Sequence, residues 1–201
     1  AYLRQAAEVL EANADELARL FTREQGRPVE AARSEMIVGA AWLKAYSEIE
    51  LPIQTIDKGD GQLIEVSHVP LGVVCAISPW NFPVNLSMWK IAPALAAGNT
   101  MVLKPSPFTP LCILKIGELF KDIFPPGVLN IVTGGDDLGP VMTAHPGFAK
   151  ISFTGSTATG KRVMESAAKD LKRVTLELGG NDAAIVMSDV DLDDVALKIF
   201  M

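Results

Sequence analysis

Five apolar, strand-like segments of the sequence each end in residues that can bind a ligand or take part in a reaction. These ends carry an amide, an amine, a glycine pair, a glycine-rich turn and a carboxylate: Asn81, Lys104, Gly134-Gly135, residues 155–160 and Glu177. In open α/β sheets, ligands bind beyond the carboxyl ends of the strands. The sequence therefore predicts one shared site to which all five ends contribute.

The glycine-rich turn over residues 155–160 lies between an apolar strand pattern and a helical pattern. Glycines let the backbone approach a phosphate, and a helix N-terminus supplies free N–H groups and a positive dipole end. The spacing differs from the three-glycine dinucleotide motif. It comes closer to a nucleoside-triphosphate loop, but Arg162 stands where a hydroxyl would bind magnesium. Alone, the turn is either a phosphate-binding loop or an ordinary tight turn.

Three polar side chains at the other ends each allow two interpretations. Asn81 lies between two prolines and two aromatic residues, so its amide suits an oxyanion in a dry site or caps the next helix. Glu177 precedes a glycine pair and is either a movable general base or an exposed strand-end residue. Lys104 binds a ribose hydroxyl or a phosphate, or is simply solvated.

The composition restricts the class of protein. The 201 residues are 49% apolar and 21% charged, which is enough apolar content for a sizeable core. A net charge of −6 argues against a nucleic-acid partner. Cys75 and Cys112 lie in apolar patterns, which predicts two buried, reduced thiols and a cytoplasmic protein. No apolar run is long enough for a membrane span, and the two histidines, His68 and His145, lack partners at metal-ligand spacing, so no metal site is predicted.

The periodicity predicts an α/β fold with a doubly wound, mostly parallel sheet and a small β-ribbon excursion. One helix is expected to end near Gly26, and a second covers residues 28–49. In the second helix, the following residues are expected to face inward: Ala32, Ile37, Ala40, Ala41 and Leu43. Strands and helices then alternate from residue 71 onward, and residues 183–187 are expected to form a further buried strand.

Taken in order, five motifs resemble those of the aldehyde dehydrogenase superfamily. They are PWNFP at 79–83, KPS at 104–106, PPGVLN at 125–130, FTGSTATG at 153–160 and LELGG at 176–180. The resemblance covers essentially the whole chain and implies the NAD(P)-dependent, non-acylating oxidation of an aldehyde to a carboxylic acid through a cysteine thioester. It also implies N-terminal helices over residues 1–50, a ribbon of an oligomerisation domain over 51–70, and a cofactor-binding domain over 71–201.

The resemblance assigns roles to individual residues. Asn81 would hold the oxyanion, and Glu177 would activate the water that releases the acid. Phe153 and Leu178 would line the nicotinamide side. The residues implied in cofactor binding are Ile77, Ser78, Pro79, Trp80, Lys104, Ser106, Pro107, Gly134, Phe153, Gly155, Ser156, Thr159, Gly160, Leu178 and Gly179. Part of an access tunnel for an apolar or aromatic aldehyde would come from Phe82, Val84, Asn85, Met88 and Trp89.

Two departures from the family pattern matter. The family's nucleophilic cysteine matches neither Cys75 nor Cys112, and both ends of the chain lie inside helical patterns. We therefore expect a fragment, truncated at both ends, that binds nucleotide but is inactive alone. Pro107 stands where NAD-selective members often carry a glutamate, so NAD is expected with NADP also tolerated. The intact protein is expected to be a homodimer or homotetramer.

Three alternatives remain open from the sequence. A CoA-acylating aldehyde dehydrogenase typically lacks the glutamate that Glu177 matches. A P-loop ATP-binding protein would use residues 155–161, but Arg162 and the Asn81 and Glu177 motifs argue against it. A non-catalytic structural relative would need neither Asn81 nor Glu177.

Overall fold

The structure is a computed structural model that describes residues 1–181 and 183–200. Its helices are α1 (Tyr2–Ala12), α2 (Ala14–Gln25), α3 (Val29–Tyr46), α4 (Pro83–Ala96), α5 (Leu111–Phe120), α6 (Leu138–Ala144), α7 (Thr157–Ala168) and α8 (Leu192–Phe200). Its strands are β1 (Gln54–Asp57), β2 (Leu63–Val66), β3 (Val73–Ile77), β4 (Thr100–Lys104), β5 (Leu129–Ile131), β6 (Lys150–Gly155) and β7 (Arg173–Leu178).

The main sheet has the order β5-β4-β3-β6-β7, and every neighbouring pair is parallel. The chain runs outward from β3 to β5 on one side and then returns to place β6 on the other side of β3. The predicted α/β, doubly wound, parallel fold is confirmed. Because the order reverses between β3 and β6, a ligand is expected at the carboxyl ends of these two strands.

Helices cover both faces of this sheet. Helices α1 to α5 form the larger core on one face, where Val74, Ala76, Met101 and Leu103 point. A smaller core on the other face joins α6 and α7 to the sheet, with Cys75, Ile151, Phe153, Val163 and Ala167 buried in it. Successive strand residues alternate between faces, so each buried strand supplies apolar side chains to both cores.

The N-terminal helices differ in detail from the sequence prediction. Two helices replace the single one expected before Gly26, because the chain breaks at Asn13, whose side-chain amide donates to the carbonyl of Val9 (2.7 Å). In α3, Ala32, Ala40 and Leu43 are buried as expected, but Ile37 and Ala41 are exposed. The inward face instead includes Met36 and Gly39, because α3 packs between α1 and α4 along that stripe.

Of two sequence predictions about strands, the small β-ribbon is confirmed and the strand expected at residues 183–187 is wrong. Strands β1 and β2 pair antiparallel in the predicted ribbon, with Ile56 opposite Ile64. Residues 183–187 form no strand, and Ile185 is 88% exposed. An apolar run alone does not make a strand, since its backbone needs a neighbouring strand to bond with. None of the described helices is both long and apolar enough to cross a membrane.

Candidate active site

A cavity of about 540 Å³ opens at the carboxyl ends of β3, β4 and β6, a size typical of small-molecule sites. The sequence-predicted residues that line it are Ile77, Ser78, Pro79, Trp80, Lys104, Ser106, Pro107, Phe153, Gly155, Ser156 and Thr159. Residues from α6 and α7 close it on the side of the smaller core. The cavity therefore lies at the point where the strand order reverses.

Helix α7 begins at this cavity. Ser156 precedes its first turn in an extended conformation, and its hydroxyl accepts the backbone N–H of Thr159 (3.2 Å). An ideal Cβ on Gly155 would lie 2.5 Å from the Phe153 ring, so a side chain there would displace the ring. The free N–H groups and positive dipole end of the helix suit a phosphate.

Charged groups also surround the cavity. Lys104 ends β4 and is almost fully buried. Burial lowers the pKa of its ammonium group, and the carboxylates of Asp136 and Asp137 partly oppose that shift. Asp136 and Arg162 line the cavity with Lys104. Arg162 therefore faces the cavity, although the sequence prediction considered it only as a missing magnesium ligand.

The turn that carries Asn81 is attached to the N-terminal helices through its backbone. Gln25 donates to the carbonyls of Trp80 (2.8 Å) and Asn81 (3.0 Å), and Arg27 also donates to that of Asn81 (3.0 Å). The Arg27 guanidinium lies over the Phe82 ring, 4.1 Å from its centroid. Asn81 is thus held on the side of the sheet covered by α4. It does not itself cap α4, whose N-cap position is Phe82.

Glu177 lies on the same side of the sheet as α4. It is the fifth residue of β7, not a residue after the strand, and it pairs with Thr154 of β6. Lys90 of α4 donates to Thr154 Oγ1 (2.7 Å) and Ser152 Oγ (3.3 Å). Burial lowers the pKa of Lys90 to about 8, and the charge of Glu177 partly opposes this shift. The Asn81 turn leads directly into α4, and Glu177 lies on the strand face that α4 covers, so both lie at the α4 side of the strand-end edge.

Several predicted site residues lie outside the cavity lining: Asn81, Gly134, Gly160, Glu177, Leu178 and Gly179. Gly160 and Leu178 contact each other, since an ideal Cβ on Gly160 would lie 2.6 Å from Leu178 Cδ2. The expected access tunnel is partly wrong. Val84 and Met88 are fully buried, because they face Gly39 of α3, whereas Phe82 and Trp89 are each 45% exposed.

The sequence interpretation missed Lys90, Gln25, Arg27 and Glu35. Each contacts a residue almost fifty or more positions away, so no local motif marks it. The one available signal was a charged residue at an inward-facing helical position, which applies to Lys90 and Glu35.

Neither cysteine is suited to act as a nucleophile. Both are free and fully buried, as the sequence predicts. Burial raises the pKa of the Cys75 thiol to about 12 and raises that of Cys112 as well. A buried thiol with a raised pKa stays protonated and unreactive.

Comparison with known proteins identifies the family. The sequence profile of the aldehyde dehydrogenase family matches residues 1–201. The aldehyde dehydrogenase LUC3 of a Fusarium species is 46% identical over 190 residues, which are 94% of this chain and 40% of LUC3. The parallel α/β fold and strand-end cavity thus accompany a sequence match over the whole chain. The chain belongs to the aldehyde dehydrogenase family.

Solved structures agree with this assignment. PnpE in complex with nicotinamide adenine dinucleotide superposes with a TM-score of 0.88 at 41% identity, covering 96% of this chain and 40% of PnpE. Betaine aldehyde dehydrogenase of Staphylococcus aureus in complex with NAD+ gives a TM-score of 0.93 at 34% identity, covering 98% of this chain and 41% of that protein. The chain spans about two fifths of the length of these relatives.

Proposed function

We propose that this chain is the cofactor-binding part of an NAD(P)-dependent enzyme that oxidises an aldehyde to a carboxylic acid. The observation that carries the proposal is the division of the strand-end edge into two sides. The cavity of about 540 Å³ lies on the side of α6 and α7, and the Asn81 turn and Glu177 lie on the side of α4. Cofactor and aldehyde can therefore meet across the ends of β3 and β6.

The cavity residues fit a dinucleotide. The N-terminus of α7 and the Ser156 and Thr159 side chains offer donors to a phosphate, and Lys104 offers an ammonium group to a ribose hydroxyl or a phosphate. Gly155 has no side chain, so the Phe153 ring packs directly against its backbone in the wall of the cavity. NAD(P), when bound, accepts the hydride of the reaction. The site residues proposed for this role are those named from the family resemblance.

The chain supplies Asn81 and Glu177 to this reaction, but neither of its two cysteines is the nucleophile. The nucleophile is a cysteine other than Cys75 and Cys112, whose thiolate forms a bond to the aldehyde carbon. Asn81, an exposed residue, donates its side-chain amide to the oxygen that becomes negative and so stabilises that charge. After oxidation to a thioester, Glu177 removes a proton from the attacking water, and the acid and the thiol are released.

Replacing Glu177 tests this sequence of steps in the full-length protein. The Glu177→Gln variant should keep a single-turnover burst of reduced cofactor, while steady-state turnover falls about 10²- to 10⁴-fold, because only thioester hydrolysis needs the base. Glu165→Gln, an exposed change on α7, is the matched control. Unchanged steady-state turnover in Glu177→Gln would overturn the role of Glu177. Acceleration of wild-type turnover by CoA would favour the acylating alternative.

The cofactor is proposed to be NAD, with NADP tolerated. Pro107 lines the cavity and carries no charge to repel a 2′-phosphate. Titration of the protein with each dinucleotide should give dissociation constants within about tenfold, a difference of about 1.4 kcal/mol. Strong exclusion of NADP would contradict this. The two buried thiols suit a reducing compartment, so a cytoplasmic location is proposed.

A further inference from the structure

The Asn81 turn depends on a junction between two helices that are distant from it in sequence. Helix α2 ends at Gln25 and is followed by Gly26, whose φ of +91° is left-handed, so the chain turns there into Arg27 and α3. This turn places Gln25 and Arg27 against the Asn81 carbonyl, which accepts a hydrogen bond from each. Because two donors fix one carbonyl, the peptide plane after Asn81 has little freedom to rotate.

Glu35 fixes the other end of the same turn. Its carboxylate accepts the N–H groups of Val84 (2.9 Å) and Asn85 (3.1 Å) at the start of α4. Pro83 occupies the first helical position and has no N–H, and Phe82 at the N-cap has no capping side chain, so Glu35 supplies the cap from α3. Its second oxygen pairs with Arg27.

The ion pair of Arg27 and Glu35 therefore contacts the turn at both ends: Arg27 binds the Asn81 carbonyl, and Glu35 binds the first N–H groups of α4. The Glu35 side chain is 1% exposed and that of Arg27 is 16% exposed. Burial raises the pKa of Glu35, and the two backbone N–H groups and Arg27 oppose that shift. Arg27 donates one guanidinium nitrogen to the Glu35 carboxylate and the other to the Asn81 carbonyl. A lysine ammonium group cannot make both hydrogen bonds in this geometry.

We propose that Arg27 and Glu35 are positioning residues that hold the Asn81 amide in line with the oxyanion of the reaction. This inference rests on the proposed function, since it assigns them a role through Asn81. It goes beyond the family resemblance, which concerns only the residues that touch cofactor or substrate. A donor displaced by about 1 Å can cost on the order of 10²-fold in rate, so these contacts influence catalysis without touching the reacting atoms.

The test compares single and double variants of the full-length protein with a simple aldehyde. In Arg27→Lys, which keeps a positive charge beside Glu35, kcat should fall about tenfold or more. KM and the dissociation constant of NAD should change by less than about twofold, because Arg27 contacts Asn81, Phe82 and Glu35, none of which lines the cofactor cavity. In Asn81→Ala, kcat should fall about 10²- to 10³-fold, and adding Arg27→Lys to it should cause no further fall.

The control is an ion pair that joins α2 and α3 themselves, whereas Arg27 lies in the short segment between these two helices. Arg33 of α3 pairs with Asp15 of α2 at 2.6 Å, and both side chains are exposed. Among the described residues, neither side chain hydrogen-bonds to the Asn81 turn. Arg33→Lys should leave kcat, KM and thermal unfolding unchanged. A general loosening of the α2–α3 pair would instead affect both arginine variants alike, and that outcome would overturn the inference.

The outcomes separate the inference from the proposed function. The inference is wrong if Asn81→Ala lowers kcat but Arg27→Lys keeps the wild-type kcat. It is also wrong if the two decreases in kcat multiply in the double variant, because Arg27 then does not act through Asn81. If Asn81→Ala itself retains full kcat, the proposed role of Asn81 is wrong, and the positioning role falls with it.

Discussion

At the scale of single residues, the most unusual group is the ammonium of Lys90. It lies inside the layer between α4 and the sheet, where the hydroxyl groups of Ser152 and Thr154 accept its hydrogen bonds. Burial disfavours the charged form, so its pKa is lowered from 10.5 to about 8. The charge of Glu177 partly compensates. The fold therefore accepts an energetic cost at this position to keep a cation beside a strand-end carboxylate.

This cost predicts a particular pH dependence of stability. A lowered folded-state pKa means that the unfolded chain binds more protons between pH 8 and 10.5, so stability rises with pH in that window. The contribution amounts to about 3 kcal/mol, present as destabilisation below pH 8 and lost by pH 10.5. In Lys90→Met, urea unfolding measured at both pH values should lack this rise. Parallel pH profiles for the two proteins would contradict the assignment.

Gly160 makes a second prediction at this scale. An added Cβ would lie 2.6 and 2.9 Å from the two methyl groups of Leu178, so Gly160→Ala must displace that side chain. We expect a loss of about 1–3 kcal/mol in the free energy of unfolding. Gly139 in α6 has open space around its Cβ position, so Gly139→Ala should instead stabilise by about 0.5–1 kcal/mol. Equal effects in the two variants would refute this difference.

At the scale of elements, helices begin with caps supplied by other helices. Helix α5 starts after Pro110, which offers no capping side chain. The Glu24 carboxylate of α2 instead accepts the N–H groups of Leu111 and Cys112 (3.2 Å). Glu35 does the same for α4. The N-terminal helices thus fix where two sheet-covering helices begin, besides covering apolar surface.

Removing one such cap should be measurable. Glu24→Ala is expected to lower the free energy of unfolding by about 1–2 kcal/mol, because two N–H groups at the start of α5 lose their acceptor. Glu118→Ala, which breaks only a surface pair with Lys115, should change it by less than about 0.5 kcal/mol. Chemical unfolding of both variants provides the comparison. A Glu24→Ala protein as stable as the wild type would show that water replaces the cap.

The same elements show what the sequence could and could not predict. Strands β3, β4 and β6 were predictable because each is an apolar run that stops at glycine, proline or a charge. The break at Asn13 was not, since α1 and α2 continue one apolar pattern across it. The strand expected at 183–187 failed because hydrophobicity does not report a pairing partner. In the site, cavity residues followed from strand ends, whereas Lys90 and Glu35 required knowledge of which helices meet.

At the scale of the whole molecule, the ribbon formed by β1 and β2 exposes apolar side chains. Ile56 and Ile64 lie opposite each other, and both are exposed along with Val66. A two-stranded ribbon is at best marginally stable alone. Burial of this face against a second copy of the protein would remove the apolar surface from water, as the homodimer or homotetramer expected from the sequence requires.

This surface makes a prediction about assembly. In the full-length protein, Ile64→Glu should shift the mass seen by sedimentation or light scattering from a dimer or tetramer towards the monomer, because a charge would enter the buried face. Thr55→Lys places a charge on the opposite face of the ribbon, across from Glu65, and should leave the mass unchanged. An Ile64→Glu protein that keeps its oligomeric mass would place the subunit contact elsewhere.

The two faces of the sheet carry a final consequence. Side chains of a strand alternate between them, so neighbouring positions near the ends of β6 and β7 serve different layers: Phe153 and Leu178 face α7, and Thr154 and Glu177 face α4. A substitution that changes side-chain packing on the α4 side of the sheet therefore leaves the packing on the α7 side unchanged. Under the proposed function, substitutions in the α4 layer would change which aldehydes are accepted, and the dinucleotide contacts of the α7 layer would stay the same.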